Sequence, residues 1–174
     1  LFELLSPFGF SDFKAINELT EAQSGKQLFS ETHRLLKDRD CLFLSEKKEK
    51  PTNSEFFIKK NQDVVSSPIK LSFTPSTKVG YMDATAIFLD ANKLEYPLTI
   101  RKWREGDVFK PFGMVGKKKV SKFFKDEKLS LAEKERVWIL ESDNKIVWII
   151  GLRADNRFKV TETTQHILKI KRTA

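Results

Sequence analysis

Hydrophobic positions along these 174 residues come in short bursts, and the spacing of each burst predicts its element. LFELL at the start reads as the last turns of a helix, halted at Ser6-Pro7 because the residue before a proline is pushed out of the α region. Ser11 or Asp12 can cap a second helix, with Phe13, Ile16 and Leu19 on one face and polar residues opposite. From Lys26 the pattern admits helix or strand. The reading adopted is a hairpin, THRLL and CLFLS joined by the charged turn KDRD. EKKEKPTNSE, residues 46–55, carries no apolar side chain and reads as an exposed loop.

EFFIKK and PIKLSFTP follow as strands, the second placed at an edge or a start by its leading proline. AIFLDANKLEYPLTIRKW reads as strand, turn, strand, with Asp90-Ala91-Asn92 supplying the turn chemistry. In VSKFFKDEKLSLAEKER one or two short helices are expected, and Val120, Phe123 and Phe124 at i, i+3 and i+4 should face a core. VWILES and KIVWIIGL form a hairpin through Asp143-Asn144, and HILKIK alternates as a last strand. Ser, Pro and Gly over residues 63–80 mark a division into 1–66 and 67–174. The fold class expected is therefore α+β, a small helical and hairpin front portion followed by a C-terminal domain of mixed or antiparallel sheet with short helices.

Composition alters this picture in one respect. Of 32 Lys and Arg against 24 acids, the stretch 101–125 (RKWREGDVFKPFGMVGKKKVSKFFK) holds nine basic and two acidic residues, a net of +7 in a chain of net +8. Such concentration, beside the glycines Gly113 and Gly116 and the aromatic residues Trp103 and Phe109, is the footprint of a surface that meets a polyanion, with nucleic acid the first candidate. Arg101 and Arg104 can fork onto phosphate oxygens. Lys102 adds charge beside them, and Trp103 and Phe109 are read as core before base-stacking.

Gly113 and Gly116 bound a short loop before Lys117, Lys118 and Lys119 and a helix start, which makes a plausible phosphate cradle. If that helix begins by Lys118, then Lys118, Lys122 and Lys125 form its outer stripe. The glycines are too closely spaced for a Walker A loop. Glu105 and Asp107 have no histidine, nucleophile or metal set beside them and read as arginine partners or turn residues.

Other chemistry is sparse. Cys41 is alone, which fits a reducing compartment, and His33 and His166 lie far apart with no ligand cluster, so no metal site is expected. No catalytic residue is assigned. No apolar run approaches the ~20 residues that span a bilayer, no signal-peptide pattern opens the chain, and a cytoplasmic location is expected. The chain opens in mid-pattern on Leu1 without a Met, and is read as a piece of a longer protein.

The run PLTIRKWREGDVFKPFGMVGKKKVSKFFKDEK, then Glu135-Arg136 and VWIIGLRADNRF, resembles the C-terminal domain of bacterial tRNA(Ile)-lysidine synthases. The shared pattern includes Pro97-Leu98, Arg101, Trp103, Arg104, Gly106-Asp107, Pro111, Gly113-Met114, Gly116, Lys118-Lys119, Ser121, Asp126, Trp148, Gly151 and Arg153. SGKQLFS and HRLLKDRDCLFL are similar to the region following that family's catalytic core. The resemblance implies a parent enzyme, a carbon–nitrogen ligase that uses ATP with magnesium to join free lysine to the wobble cytidine of tRNA(Ile) with a CAU anticodon. It implies that this portion grips the tRNA, its last domain toward the acceptor stem. The basic stretch and the shared pattern together give the candidate tRNA-binding residues Arg101, Lys102, Arg104, Gly113, Gly116, Lys117, Lys118, Lys119, Lys122, Lys125 and Arg153. The family's S-G-G-x-D-S pyrophosphate loop is not in this sequence, so no cofactor site and no ligation are expected of these residues by themselves. Two readings stay open beside it: a module for structured RNA in general, and a homodimerisation domain fed by the fifteen Phe and three Trp.

Overall fold

The structure is a computed structural model that describes residues 1–47 and 54–173. The expected loop at 46–55 therefore lies largely outside the described residues. The chain divides into two compact units, Leu1–Thr52 with Ser130–Ala132, and Asn53–Leu129 with Glu133–Ala174.

In the first unit, α1 (Phe2–Leu5) runs into a 3-10 turn over Ser6–Phe8 that closes on Gly9 at φ 83°. The helix α2 (Phe13–Thr20) starts where Asp12 accepts the Ala15 N–H at 2.9 Å, the cap the sequence suggested. Ile16 and Leu19 are buried, but Phe13 is 64% exposed. Six residues at 100° each leave Phe13 and Leu19 about 120° apart around the axis, too wide for one core face. Three antiparallel strands, β1 (Gln27–Phe29), β2 (His33–Asp38) and β3 (Cys41–Glu46), complete the unit in that order. The hairpin turn is where KDRD was placed, and β1 is an added third strand. Leu5, Phe10, Ile16, Leu19 and Leu35 form its core.

The second unit contains β4 (Phe56–Ile58), β5 (Val64–Val65), β6 (Leu71–Ser76), β7 (Ala86–Asp90) and β8 (Leu98–Lys102). It continues with β9 (Val108–Phe109), β10 (Lys118–Lys119), α3 (Val120–Asp126) and α4 (Leu131–Arg136), whose first residues group with the other unit. Then come β11 (Trp138–Ser142), β12 (Lys145–Ile149), β13 (Arg153–Ala154) and β14 (Ile167–Arg172). The expected division after residue 66 falls inside this unit, because β4 pairs with β8 and β5 with β6.

All pairings are antiparallel, in sheets ordered β13-β12-β11-β8-β4, β5-β6-β14-β7 and β10-β9. The α+β class holds. Asp143 and Asn144 both take positive φ, 46° and 55°, in the tight turn of the β11–β12 hairpin. AIFLD and LTIRK do become strands, yet they join different sheets, β7 the four-stranded one and β8 the five-stranded one.

The five-stranded sheet is covered on both faces, and strand alternation sorts its residues. Leu140 and Trp148 turn to a large core with Phe73, Ile87, Leu168 and Ile170 of the four-stranded sheet. Ile139 and Ile149 turn to the opposite face, where Val120, Phe123 and Phe124 of α3 and Phe109 of β9 pack on them. That second core fixes the basic segment to the sheet. Among the described residues no helix is long and apolar enough to cross a membrane.

Candidate nucleic-acid interface

The basic stretch is a hairpin followed by a helix. β9 and β10 pair through Lys118↔Phe109 and Lys119↔Val108, so residues 110–117 form the hairpin loop. Its base is tied down where the Phe112 N–H donates to the Ala154 carbonyl at 2.8 Å and the Lys110 N–H to the Asp155 carboxylate at 2.8 Å. Gly113 and Gly116 take φ of 78° and 90°, and nothing lies within 4 Å of a Cβ built on either. Glycine is required here by backbone conformation and not by a close neighbour.

Beside this loop lies an open depression of about 490 Å³, lined by Gly116, Lys117, Lys118, Lys119, Lys122 and Asp126 together with Pro111, Met114 and Val115. Lys117, Lys119, Lys122 and Lys125 are exposed, and among the described residues none has an acidic partner within ion-pair distance. Lys118 differs: its Nζ lies 2.7 Å from Asp126 Oδ2 and its side chain is mostly covered. That hydrogen bond, with the charges of Lys118, Lys122 and Lys125, holds the Asp126 carboxyl below its ordinary value.

The structure corrects several sequence expectations. Arg101 is 6% exposed, and its guanidinium is taken up by Asp107 and Glu141. It cannot fork onto a phosphate. Burial alone would lower its pKa, but the hydrogen bonds of both carboxylates outweigh that and hold it above the ordinary value.

Lys102 is spent on neighbours too, its Nζ 3.9 Å above the Trp138 ring and donating to the Glu135 carbonyl at 2.8 Å. Arg104 meets Glu55 at 2.6 Å in a half-exposed pair, which leaves it accessible. The helix α3 starts at Val120, so Lys118 belongs to β10 and the outer stripe reduces to Lys122 and Lys125. The phosphate cradle shrinks as well, since the Val120 N–H donates to the Asp107 carbonyl at 2.9 Å and α3 has only seven residues.

Trp103 is core, edge-on to Phe124 with its Nε1–H donating to the Lys134 carbonyl at 2.9 Å. Arg153 is exposed on β13, 4.0 Å from Glu127 just beyond α3. The structure therefore brings Gly116, Lys117, Lys118, Lys119 and Lys122 together around one depression. Gly113, Lys125, Arg104 and Arg153 remain exposed outside its lining, and Arg101 and Lys102 are withdrawn.

One residue was missed. Arg157 lines a second, smaller hollow of about 100 Å³ with Lys110 and Lys117, so Lys117 borders both. Its guanidinium is aimed by Asp155, fully buried, at 2.9 Å from Nε and 2.7 Å from Nη2. The signal available was the ADNRF run, where an Asp two residues before an Arg can hold both its backbone and its side chain.

What fold and site define is an α+β protein, built mostly of antiparallel sheet, whose second unit presents unpaired lysines around a glycine-bounded hairpin. Residues 1–47 match the family model described as TilS substrate binding domain, and residues 98–170 that described as TilS substrate C-terminal domain. A tRNA(Ile)-lysidine synthase of Parabacteroides distasonis is 43% identical over 97% of this chain and 40% of its own length. One of Bacteroides thetaiotaomicron is 39% identical over 98% of this chain and 39% of its own. A solved structure described as the TILS C-terminal domain shares the fold, with TM-score 0.58 at 20% identity, covering 70% of this chain and 98% of that one. The chain belongs to the tRNA(Ile)-lysidine synthase family, in the part that those two domain models describe. It spans about 40% of the length of these relatives.

Proposed function

We propose that the chain is the tRNA-gripping part of a tRNA(Ile)-lysidine synthase, and that the lysines around the hairpin seat the phosphate backbone of the tRNA. The parent reaction proposed is ATP-dependent ligation of lysine to the wobble cytidine of tRNA(Ile) with a CAU anticodon, in the cytoplasm. The adenylation chemistry is assigned to residues outside this sequence. The acceptor-stem side is the part of the tRNA proposed to meet the second unit, and the first unit is proposed to touch the tRNA elsewhere.

One observation carries the reading: Lys117, Lys119 and Lys122 border one open depression, and none has an acidic partner among the described residues. An ammonium left unpaired on a fixed surface gains most from a polyanion, since each phosphate it neutralises releases counterions. Lys125, Arg104 and Arg153 extend the surface at its margins. Arg101, Lys102 and Lys118 are left out because their charges have protein partners and, unlike Arg104 and Arg153, their side chains are not exposed.

The test is Lys119→Glu/Lys122→Glu in the full chain, titrated with a tRNA(Ile) transcript at several salt concentrations. Affinity should fall at least tenfold at low salt. The slope of log K against log salt should become shallower by about 1–2, as expected for two lost phosphate contacts. Unchanged affinity and slope refute the site.

Phosphate contacts position a nucleic acid without reading its sequence. Because every free group at the depression is a lysine, the chain alone should bind an unrelated tRNA about as well, and a strong preference for tRNA(Ile) would place base-reading groups elsewhere.

A further inference from the structure

We propose that Asp107, clamped by the buried Arg101, is the positioning residue of the lysine surface, although neither side chain meets the RNA. Three parts of the segment converge on this one residue. Its Oδ1 and Oδ2 accept Arg101 Nη2 and Nη1, each at 2.9 Å. Oδ2 also accepts the Arg104 N–H at 2.7 Å, and the Asp107 N–H returns to the Arg104 carbonyl at 3.2 Å, which closes the turn before β9. Its carbonyl accepts the Val120 N–H at 2.9 Å, the first amide of α3. Arg101 is fixed to the sheet in its turn, because Glu141 on the neighbouring β11 accepts its Nε at 2.9 Å. A buried guanidinium thus connects the sheet to the turn and, through the turn, to the helix that carries Lys122.

The sign of the charges separates geometry from electrostatics. Arg101 carries one positive charge and its two carboxylates carry two negative ones, so the cluster is net negative beneath a surface proposed to hold a polyanion. Acting through its charge alone, Asp107 could only weaken RNA binding. Any favourable effect must come from where it holds the lysines. A buried ion cluster is also a poor source of net stability compared with apolar packing, whereas a directional cluster specifies one arrangement.

The proposal rests on the tRNA-gripping reading for its binding readout and on the protein alone for its structural one. The experiment compares Asp107→Asn and Glu141→Gln with the parent chain, by tRNA(Ile) titration across salt and by amide hydrogen exchange. Each variant removes one negative charge at nearly constant volume, so electrostatics alone predicts tighter binding. Positioning predicts the reverse: affinity lowered about tenfold for Asp107→Asn and less for Glu141→Gln, with a shallower salt slope. Exchange at Val120–Asp126 should speed up at least tenfold while β14 amides stay as in the parent.

Tighter or unchanged binding in both variants overturns the proposal. So does unchanged α3 protection, and so does protection lost evenly through β14 in both. Should Lys119→Glu/Lys122→Glu leave tRNA binding intact, the site reading fails separately, and the α3 exchange data still decide whether Asp107 holds the helix.

Discussion

The two ends of the basic stretch do opposite things with their charge: residues 101–107 set three basic side chains among two acids, and residues 113–125 hold five basic side chains and no acid. In residues 101–107 the charges are met by the protein itself, Arg101 buried on Asp107 and Glu141, Lys102 over Trp138, and Arg104, still exposed, paired with Glu55. In residues 113–125 they turn outward, and among the described residues only Lys118 finds an acid, Asp126. What separates the halves is the neighbourhood each is folded into. The first lies along a sheet whose adjacent strands bring carboxylates from 40 and 49 residues away. The second is a hairpin and a two-turn helix whose apolar side is used up on the sheet, which leaves its polar side facing water. A lysine-rich stretch is thus a binding surface only over the part that nothing else in the fold neutralises.

The sharpest way to break this comparison is to remove one charge from each half. Arg101→Met leaves Asp107 and Glu141 facing each other in a largely buried site without a counter-charge, and should cost roughly 3–5 kcal/mol. Denaturant unfolding should show this as a lowered midpoint with the slope unchanged. Lys119→Met, on the outward half, should stay within about 0.5 kcal/mol of the parent. Equal losses at the two positions would mean that the halves do not differ as described. Replacing Arg101, Asp107 and Glu141 together with apolar residues should recover much of the loss, since the penalty is for the orphaned carboxylates.

That contrast also marks what could be read from the sequence. Signals confined to one turn or one hairpin were legible: the Asp12 cap, the Asp143-Asn144 turn, and the Val120, Phe123 and Phe124 face all formed as expected. Each depends on residues a few positions apart. The fate of Arg101 was not legible, because it depends on β11 lying beside β8 with Glu141 opposite Thr99, a register set by the whole sheet. For the same reason Asp107 was recognisable as an arginine partner, but its wider role was hidden, as the Val120 amide reaches it only once α3 has packed. Phe57 and its neighbours in β4 read correctly as a strand, yet nothing local said that they would pair with β8, so the division was placed too late in the chain. The family resemblance gathered the right segment and could not say which of its charges were free.

A second substitution sharpens the comparison within the outward half, by separating the shape of the hairpin from its charge. Gly116 sits at φ 90° with open space where a Cβ would go, so Gly116→Ala meets backbone strain and no clash. The expected cost is about 1–2 kcal/mol, read as a lowered urea midpoint. All the lysines are retained, so any loss of tRNA affinity beyond that of a destabilised hairpin would show that loop conformation contributes to the grip. A loss of stability well under the expected range would mean that the loop relaxes to a negative φ, and that its shape is not fixed by the two glycines.

The smallest effect tests the one outward lysine that is paired. Asp126 titrates below its ordinary value, first through its hydrogen bond to Lys118 at 2.7 Å and then through the charges of Lys118, Lys122 and Lys125. A carboxylate whose folded pKa is depressed stabilises the fold above its unfolded pKa, near 4 for Asp, and that contribution disappears as pH falls through the folded value. The tie between β10 and the end of α3 is therefore complete at neutral pH and is lost as pH falls through the lowered pKa of Asp126. Lys118→Met should move the Asp126 titration upward toward an ordinary aspartate, followed by carboxyl-carbon NMR, and leave the Asp107 carboxyl resonance untouched. A carboxylate so released would also stand unpaired beside Lys122, so this variant should bind tRNA slightly more weakly than loss of a single surface lysine accounts for. If Asp126 titrates in Lys118→Met as it does in the parent, the pair adds nothing, and Lys118 belongs with the free lysines of the outward half.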